Sequence, residues 1–149
     1  MQKPLEDLFG EVYSKFKLQF YKRIFQRLDD REATLTLVES YSIEVINALG
    51  NPTVSEFATF LEISKANATY KVQNLIRKGY LEKVRSEQDR RESHLHVTER
   101  FREYEKLNNT YLATVAARVR ATCAPEEVEL LQSILNTIST ELMPEVDLH

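Results

Sequence analysis

Cysteine is nearly absent from this chain. Of 149 residues only Cys123 carries a thiol, so an internal disulfide framework is excluded and a reducing compartment is expected. Glycine is almost as scarce. Gly10, Gly50 and Gly79 stand far apart, which excludes a glycine-rich phosphate loop. HExxH and Ser-His-Asp arrangements are missing as well, so no enzyme is expected. Long apolar runs are also lacking: none approaches the ~20 residues of a membrane span. The opening Met1-Gln2-Lys3-Pro4-Leu5-Glu6-Asp7 lacks the features of a signal peptide. The expectation is a soluble cytoplasmic protein with no membrane association. A chain of this length can bury enough surface to hold one domain without a disulfide or metal staple.

Excess positive charge is missing too, since the net charge is −3, which taken alone argues against nucleic acid. Its distribution says more. Between Ser64 and Arg91 stand eight Lys or Arg against three acids, a local +5. Of the 20 bases and 23 acids in the whole chain, 12 and 20 remain elsewhere, a balance of −8. A solvated face would give the same counts, so the segregation is suggestive only.

The remaining signals are caps and periods. Leu5, Leu8, Val12, Phe16, Phe20, Ile24 and Leu28 recur every three or four residues, which predicts a helix from Leu5 to Leu28. Phe9, Tyr13 and Phe25 widen its apolar stripe, pointing to a partner helix or to ordinary core. After the polar Asp29-Asp30-Arg31-Glu32, Thr36-Leu37-Val38-Glu39 matches a capping box, and Gly50 ends the helix it opens. Thr53-Val54-Ser55-Glu56 is a second box, before a short helix Ser55–Leu61. Ser64 then caps another helix, with apolar Ile63 inside the turn. Two short helices around a tight turn make a helix-turn-helix pattern. Ala68, Val72, Leu75 and Ile76 form the inward stripe of the second, which Gly79 stops. Alternating residues over Leu81–Arg85 and His94–Val97 predict two strands joined by Ser86-Glu87-Gln88-Asp89-Arg90-Arg91. Thr98 opens a long helix from Glu99 to Thr122. Pro125, favoured at a first helical position, opens the last. The fold class is mostly α with a small β-hairpin wing.

These pieces resemble the MarR family of bacterial transcriptional regulators. The resemblance rests on Thr36–Glu39, Thr53-Val54-Ser55-Glu56-Phe57-Ala58, Ser64-Lys65, Asn74-Leu75 with Lys78-Gly79-Tyr80-Leu81, Asp89-Arg90-Arg91, and Leu95-His96-Val97-Thr98. It covers nearly the whole chain. It implies a winged helix-turn-helix at residues 36–98, with dimerisation helices at 1–35 and 99–149 interleaving in a homodimer. The wing phrase Val84–Arg91 with His94-Leu95-His96 is similar to that of the fatty-acid-synthesis repressors within the family. That similarity reports on DNA contact more than on an effector; a small apolar or lipid-like effector is expected between the dimer helices and the winged region. The chain departs from the family at three places. Phe101 stands where a glycine is usual, Tyr70 where the recognition helix usually carries arginine, and Gln73-Asn74 where Asp-Arg is usual.

The implied function is a DNA-binding regulator, a repressor, acting on a pseudo-palindromic double-stranded operator. The alternative is a winged-helix protein-interaction module without DNA binding. In the recognition helix Lys65 and Lys71 suit phosphates, Asn67, Gln73 and Asn74 have amides able to read adenine, and Thr69 and Tyr70 suit phosphates or thymine methyls. In the wing, Arg90 and Arg91 suit a narrow minor groove, and the resemblance implies that Asp89 holds Arg91 by an ion pair. Tyr13, Phe16, Phe20 and Tyr41 are candidates to line an effector pocket or to pack the core. His94 and His96 share a strand face, but no acidic or cysteine cluster joins them, so no metal and no cofactor is expected. Cys123 has Arg120 as its nearest cation in sequence and reads as a packing residue or a sensing thiol.

Overall fold

The computed structural model describes residues 1–26 and 35–147. Its elements run α1 (Leu5–Gln26), α2 (Leu37–Leu49), α3 (Val54–Leu61), α4 (Lys65–Arg77), β1 (Leu81–Arg85), β2 (Ser93–Val97), α5 (Glu99–Thr122) and α6 (Pro125–Thr137). A single wider π-helical turn, Ile138–Leu142, extends α6. The expected end of α1 at Leu28 and the polar break after it lie outside the described residues. Among the described residues, no helix is long and apolar enough to cross a membrane.

Contacts divide these residues into two units, one of residues 1–26 and 106–147, the other of residues 35–105. The division falls inside α5 rather than at its start, because Phe101 and Tyr104 pack with the second unit's core.

In the second unit the capping chemistry fixes the helix starts. Thr36 Oγ1 accepts the Glu39 amide at 3.2 Å, and Glu39 Oε1 accepts the Thr36 amide at 3.2 Å. Thr53 and Glu56 repeat the exchange at 3.1 and 3.3 Å. Thr53 is therefore the cap, and α3 begins at Val54, one residue before the expected Ser55. Gly50 ends α2 in the left-handed region, φ 68°. The α3–α4 turn places Glu62 at φ 55°. Its amide bonds to Thr59 O and that of Ile63 to Ala58 O, the paired bonds of a Schellman stop with a non-glycine residue in the strained position.

The core gathers around Phe57, which α2, α4 and the hairpin enclose. Ile43, Ile46, Phe57, Ala68, Val72 and Leu75 have no accessible surface, while Leu81, Leu95 and Phe101 keep at most 2%. Phe101, at the family's usual glycine position, fills the place where α5 meets this core. β1 and β2 pair antiparallel from Leu81↔Val97 to Arg85↔Ser93. The Leu95 amide reaches Pro52 O at 2.8 Å, and the His94 Nδ1–H donates to Asn51 O at 2.8 Å. His94 thus ties the wing to the turn after α2.

In the first unit, Phe16 meets Tyr111 edge-on with centroids 5.7 Å apart. Only Phe20 and Leu107 are buried there among the described residues, whereas Leu8, Val12, Ile134 and Leu135 are exposed.

Candidate nucleic-acid interface

The stripe Ala68, Val72 and Leu75 fixes how α4 lies on the core. Helical geometry then sends Tyr70, Gln73 and Arg77 to the opposite side, and all three are exposed. Asn67 and Lys71 lie on one flank, Lys65 and Thr69 on the other. Ser64 Oγ accepts the Asn67 amide at 3.1 Å, capping the start of α4. Two candidate side chains are already engaged. Thr69 Oγ1 donates to Lys65 O at 2.8 Å. Asn74 Oδ1 accepts from Arg77 Nη2 at 2.9 Å. Because arginine only donates, the oxygen assignment of Asn74 is settled by its partner. The oxygen needed to accept from adenine N6 is therefore shared with Arg77, and Asn74 offers mainly its donor.

The wing tip is a tightly bonded turn. Ser86 N donates to Glu92 O and Glu92 N to Asp89 O, each at 3.0 Å, and Ser86 Oγ accepts the amides of Gln88 and Asp89. Asp89 does orient this turn, but not as expected. Its Oδ1 accepts the backbone amide of Arg91 at 2.9 Å. Among the described residues no ion pair joins the Asp89 carboxylate to the Arg91 guanidinium. The carboxylate closes an Asx turn onto the backbone instead, leaving the exposed guanidinium available for another anion.

Three elements converge on one open cleft of about 480 Å³. Thr53 and Ser55 come from the start of α3, Lys65 and Thr69 from α4, and Lys83, Asp89, Arg91 and Glu92 from the wing. Lys65, Lys83 and Arg91 bring three positive charges against two acids. The Asp89 carboxylate is partly satisfied by an amide. The Val54 and Ser55 amides, which have no acceptor within α3, lie at its positive end and add to the field, offset in part by the Glu56 carboxylate that closes the capping box. Such a cleft suits a phosphate, bound by cations, hydroxyls and helix-terminal amides together.

The structure thus brings together Lys65, Thr69, Asp89 and Arg91 of the expected site. Asn67, Tyr70, Lys71, Asn74 and Arg90 stand outside the cleft, on the exposed faces of α4 and the wing tip. Sequence pattern does not single out Lys83, Ser55 or Thr53 for this site. Lys83 is countable as a base but shows no role in the sequence, because only the folded hairpin carries it to the start of α3. Of the aromatic candidates, Phe20 is buried and Phe16 packs on Tyr111. Tyr13 is exposed, with Lys17 Nζ 5.0 Å from its ring centroid. Tyr41 is exposed on α2, as are Leu37 and Val38. Among the described residues, no three His, Cys, Asp or Glu side chains gather closely enough to hold a metal.

Residues 34–92, from the start of α2 to the wing, match the family model described as MarR family. The HTH-type transcriptional regulator YpoP of Bacillus subtilis (strain 168) is 26% identical over 99 residues, which are 66% of this chain and 65% of that protein. The alignment therefore spans a little under two thirds of that relative. Streptococcus pneumoniae FabT, solved in complex with DNA, is 26% identical with a TM-score of 0.60, covering 93% of this chain and 97% of its own. A MarR family protein from Bacillus stearothermophilus has a TM-score of 0.64 at 18% identity, with 93% and 92% covered.

Proposed function

We propose that this chain, whose residues 34–92 match the MarR family model, is a member of that family and a sequence-specific double-stranded DNA-binding regulator, a ligand-responsive repressor acting as a homodimer. The observation that carries the reading is the cleft joining Lys65, Lys83 and Arg91 at the start of α3. A duplex phosphate seated there orients α4 so that Tyr70, Gln73 and Asn67 face the major groove. Arg90, outside the cleft at the wing tip, then reaches the adjacent minor groove. That division matches the usual one, in which phosphate contacts position and base contacts specify. Support also comes from the likeness to FabT, whose structure was determined with DNA.

A homodimer covers the apolar residues of α1 and α6 that a single chain leaves exposed. It also places two recognition helices about 34 Å apart, one helical turn of DNA, on a pseudo-palindrome. We assign the exposed Leu37, Val38 and Tyr41 patch to a small apolar effector. Its binding shifts the population between DNA-competent and incompetent forms. The work is done in the cytoplasm, where the operator lies.

Selection from a pool of random duplexes, followed by sequencing, tests the reading. Enrichment of an inverted repeat with half-sites about one helical turn apart is expected. A pool that stays random would instead favour a protein-interaction module.

A further inference from the structure

We propose that Arg100, assisted by Thr98, is a positioning residue for DNA recognition: it holds the exit of α4 at the tilt that base contact requires. The inference rests on the DNA-binding reading above. α4 ends in a Schellman motif, with Gly79 N bonded to Ile76 O and Tyr80 N to Leu75 O, both at 3.0 Å. Gly79 takes φ 86° to make it. Beyond that stop come the carbonyls of Lys78, Gly79 and Tyr80, and residues 98–100 supply a donor to each. Arg100 Nη1 donates to Lys78 O at 3.1 Å, Thr98 Oγ1 to Gly79 O at 2.6 Å, and Thr98 N to Tyr80 O at 3.0 Å. The Arg100 guanidinium also stacks over the Tyr80 ring, 5.3 Å from its centroid. A Cβ on Gly79 would lie 3.4 Å from Arg100 Nη1, so the guanidinium sits close against this backbone.

The placement of Arg100 is unfavourable by local rules. A cation in the first turn of α5 faces the positive end of that helix. Here the same guanidinium lies at the carbonyl end of α4, where a cation is favoured. On the other side of the exit, Lys78 Nζ donates to Glu39 Oε1 at 2.8 Å, so α2 and α5 hold it from two directions. At 1.5 Å per residue α4 is about 20 Å long, and a tilt of ~10° displaces one end by roughly 3 Å relative to the other. A displacement of that size breaks a base-edge hydrogen bond while leaving screened phosphate attraction nearly intact.

The experiment uses the full chain and two probes: a duplex selected by the wild-type protein and a scrambled duplex of equal length. Both are titrated at several salt concentrations with wild type, Arg100→Ala, Arg100→Lys and Thr98→Val. Arg100→Ala should weaken binding to the selected duplex by about tenfold with the salt slope unchanged and scrambled-duplex affinity retained. Arg100→Lys, which keeps a donor and charge but loses planar stacking, should recover part of the loss. Thr98→Val should show the same selective pattern more weakly, and it decides the matter if Arg100→Ala fails to fold. Equal loss on both duplexes with a slope shallower by about 0.9 would make Arg100 a phosphate contact and overturn the proposal. Folded variants with wild-type affinity for the selected duplex would overturn it as well. If the wild type bound neither duplex, the DNA-binding reading itself would fail.

Discussion

The two units of this chain treat their apolar residues in opposite ways. In residues 35–105 the large apolar side chains converge: Phe57, Ile43, Ile46, Val72 and Leu75 are wholly enclosed within the chain's own fold. In residues 1–26 and 106–147 the same kinds of side chain stay open, Leu8 at 42%, Val12 at 54% and Ile134 at 48% exposure. Monomeric soluble proteins seldom leave large apolar patches uncovered. The winged unit therefore closes its central core within one chain, leaving Leu37, Val38 and Tyr41 open at its surface, while the terminal helices bury little apolar surface of their own and, we propose, are covered by a second copy.

The most damaging way to break that contrast is inside the winged core. Phe57→Ala should cost about 3–5 kcal/mol, measured by urea denaturation, and abolish DNA binding through unfolding. Next, Ile134→Glu should leave the winged unit folded but weaken the dimer by at least about a hundredfold, because the interface would bury an unpaired carboxylate. Sedimentation equilibrium reads this directly. A variant that stayed dimeric at the same concentrations would show that α6 lies outside the covered face.

A smaller effect separates the exit of α4 from its surroundings. Burial tends to push the Glu39 carboxyl up. Hydrogen bonds from Lys78 and Thr36 and the charge of Lys78 outweigh it, so its pKa lies below the usual value. One oxygen of that carboxylate is buried without a hydrogen bond, which fits the opposing contribution of burial. With the folded pKa depressed, the pair's stabilisation is present above the ordinary Glu pKa, about 4.3, and is lost as pH falls through the folded value. Partial desolvation raises the Glu44 carboxyl, but the residue is exposed on α2, so its opposite contribution, lost as pH rises through its folded pKa, is small. Glu39→Gln isolates the first effect: about 2 kcal/mol less stable near neutral pH, with the wild-type difference shrinking in acid. A difference that stayed constant from neutral pH into acid would contradict the ion-pair account. Smallest of all, Glu62→Gly should raise the thermal midpoint slightly, by about 0.5 kcal/mol in stability. Relief of a left-handed conformation would outweigh the added freedom of the unfolded chain.

Much of the winged unit is legible in the sequence, because its boundaries are written in local chemistry. Thr36, Thr53 and Ser64 cap the helices that their spacing marks, and Gly50 and Gly79 stop theirs. The start of α5 at Glu99 is legible from Thr98, but the job of that hydroxyl is not. It donates to Gly79 O, a residue distant in sequence. The same limit hides Lys83, whose period-two position says which face it takes but not that the start of α3 lies opposite. Asp89 belongs to the turn as its sequence context indicates, yet whether it binds the arginine's side chain or its amide depends on turn geometry that composition does not encode. In α1 the periodicity marks an apolar stripe with equal strength whether its cover lies in the same chain or in another. Sequence pattern shows that a face is apolar, and only packing shows what touches it.

On the proposed function, Lys65, Lys83 and Arg91 form one phosphate-binding cleft with the start of α3. The most direct test compares wild type with Arg91→Ala and Lys83→Ala on one selected duplex in increasing salt. For wild type, log K should fall linearly with log salt at a slope of several units. Each variant should lose affinity and give a slope shallower by about 0.9, one phosphate contact. Parallel lines of equal affinity for all three proteins would contradict the account.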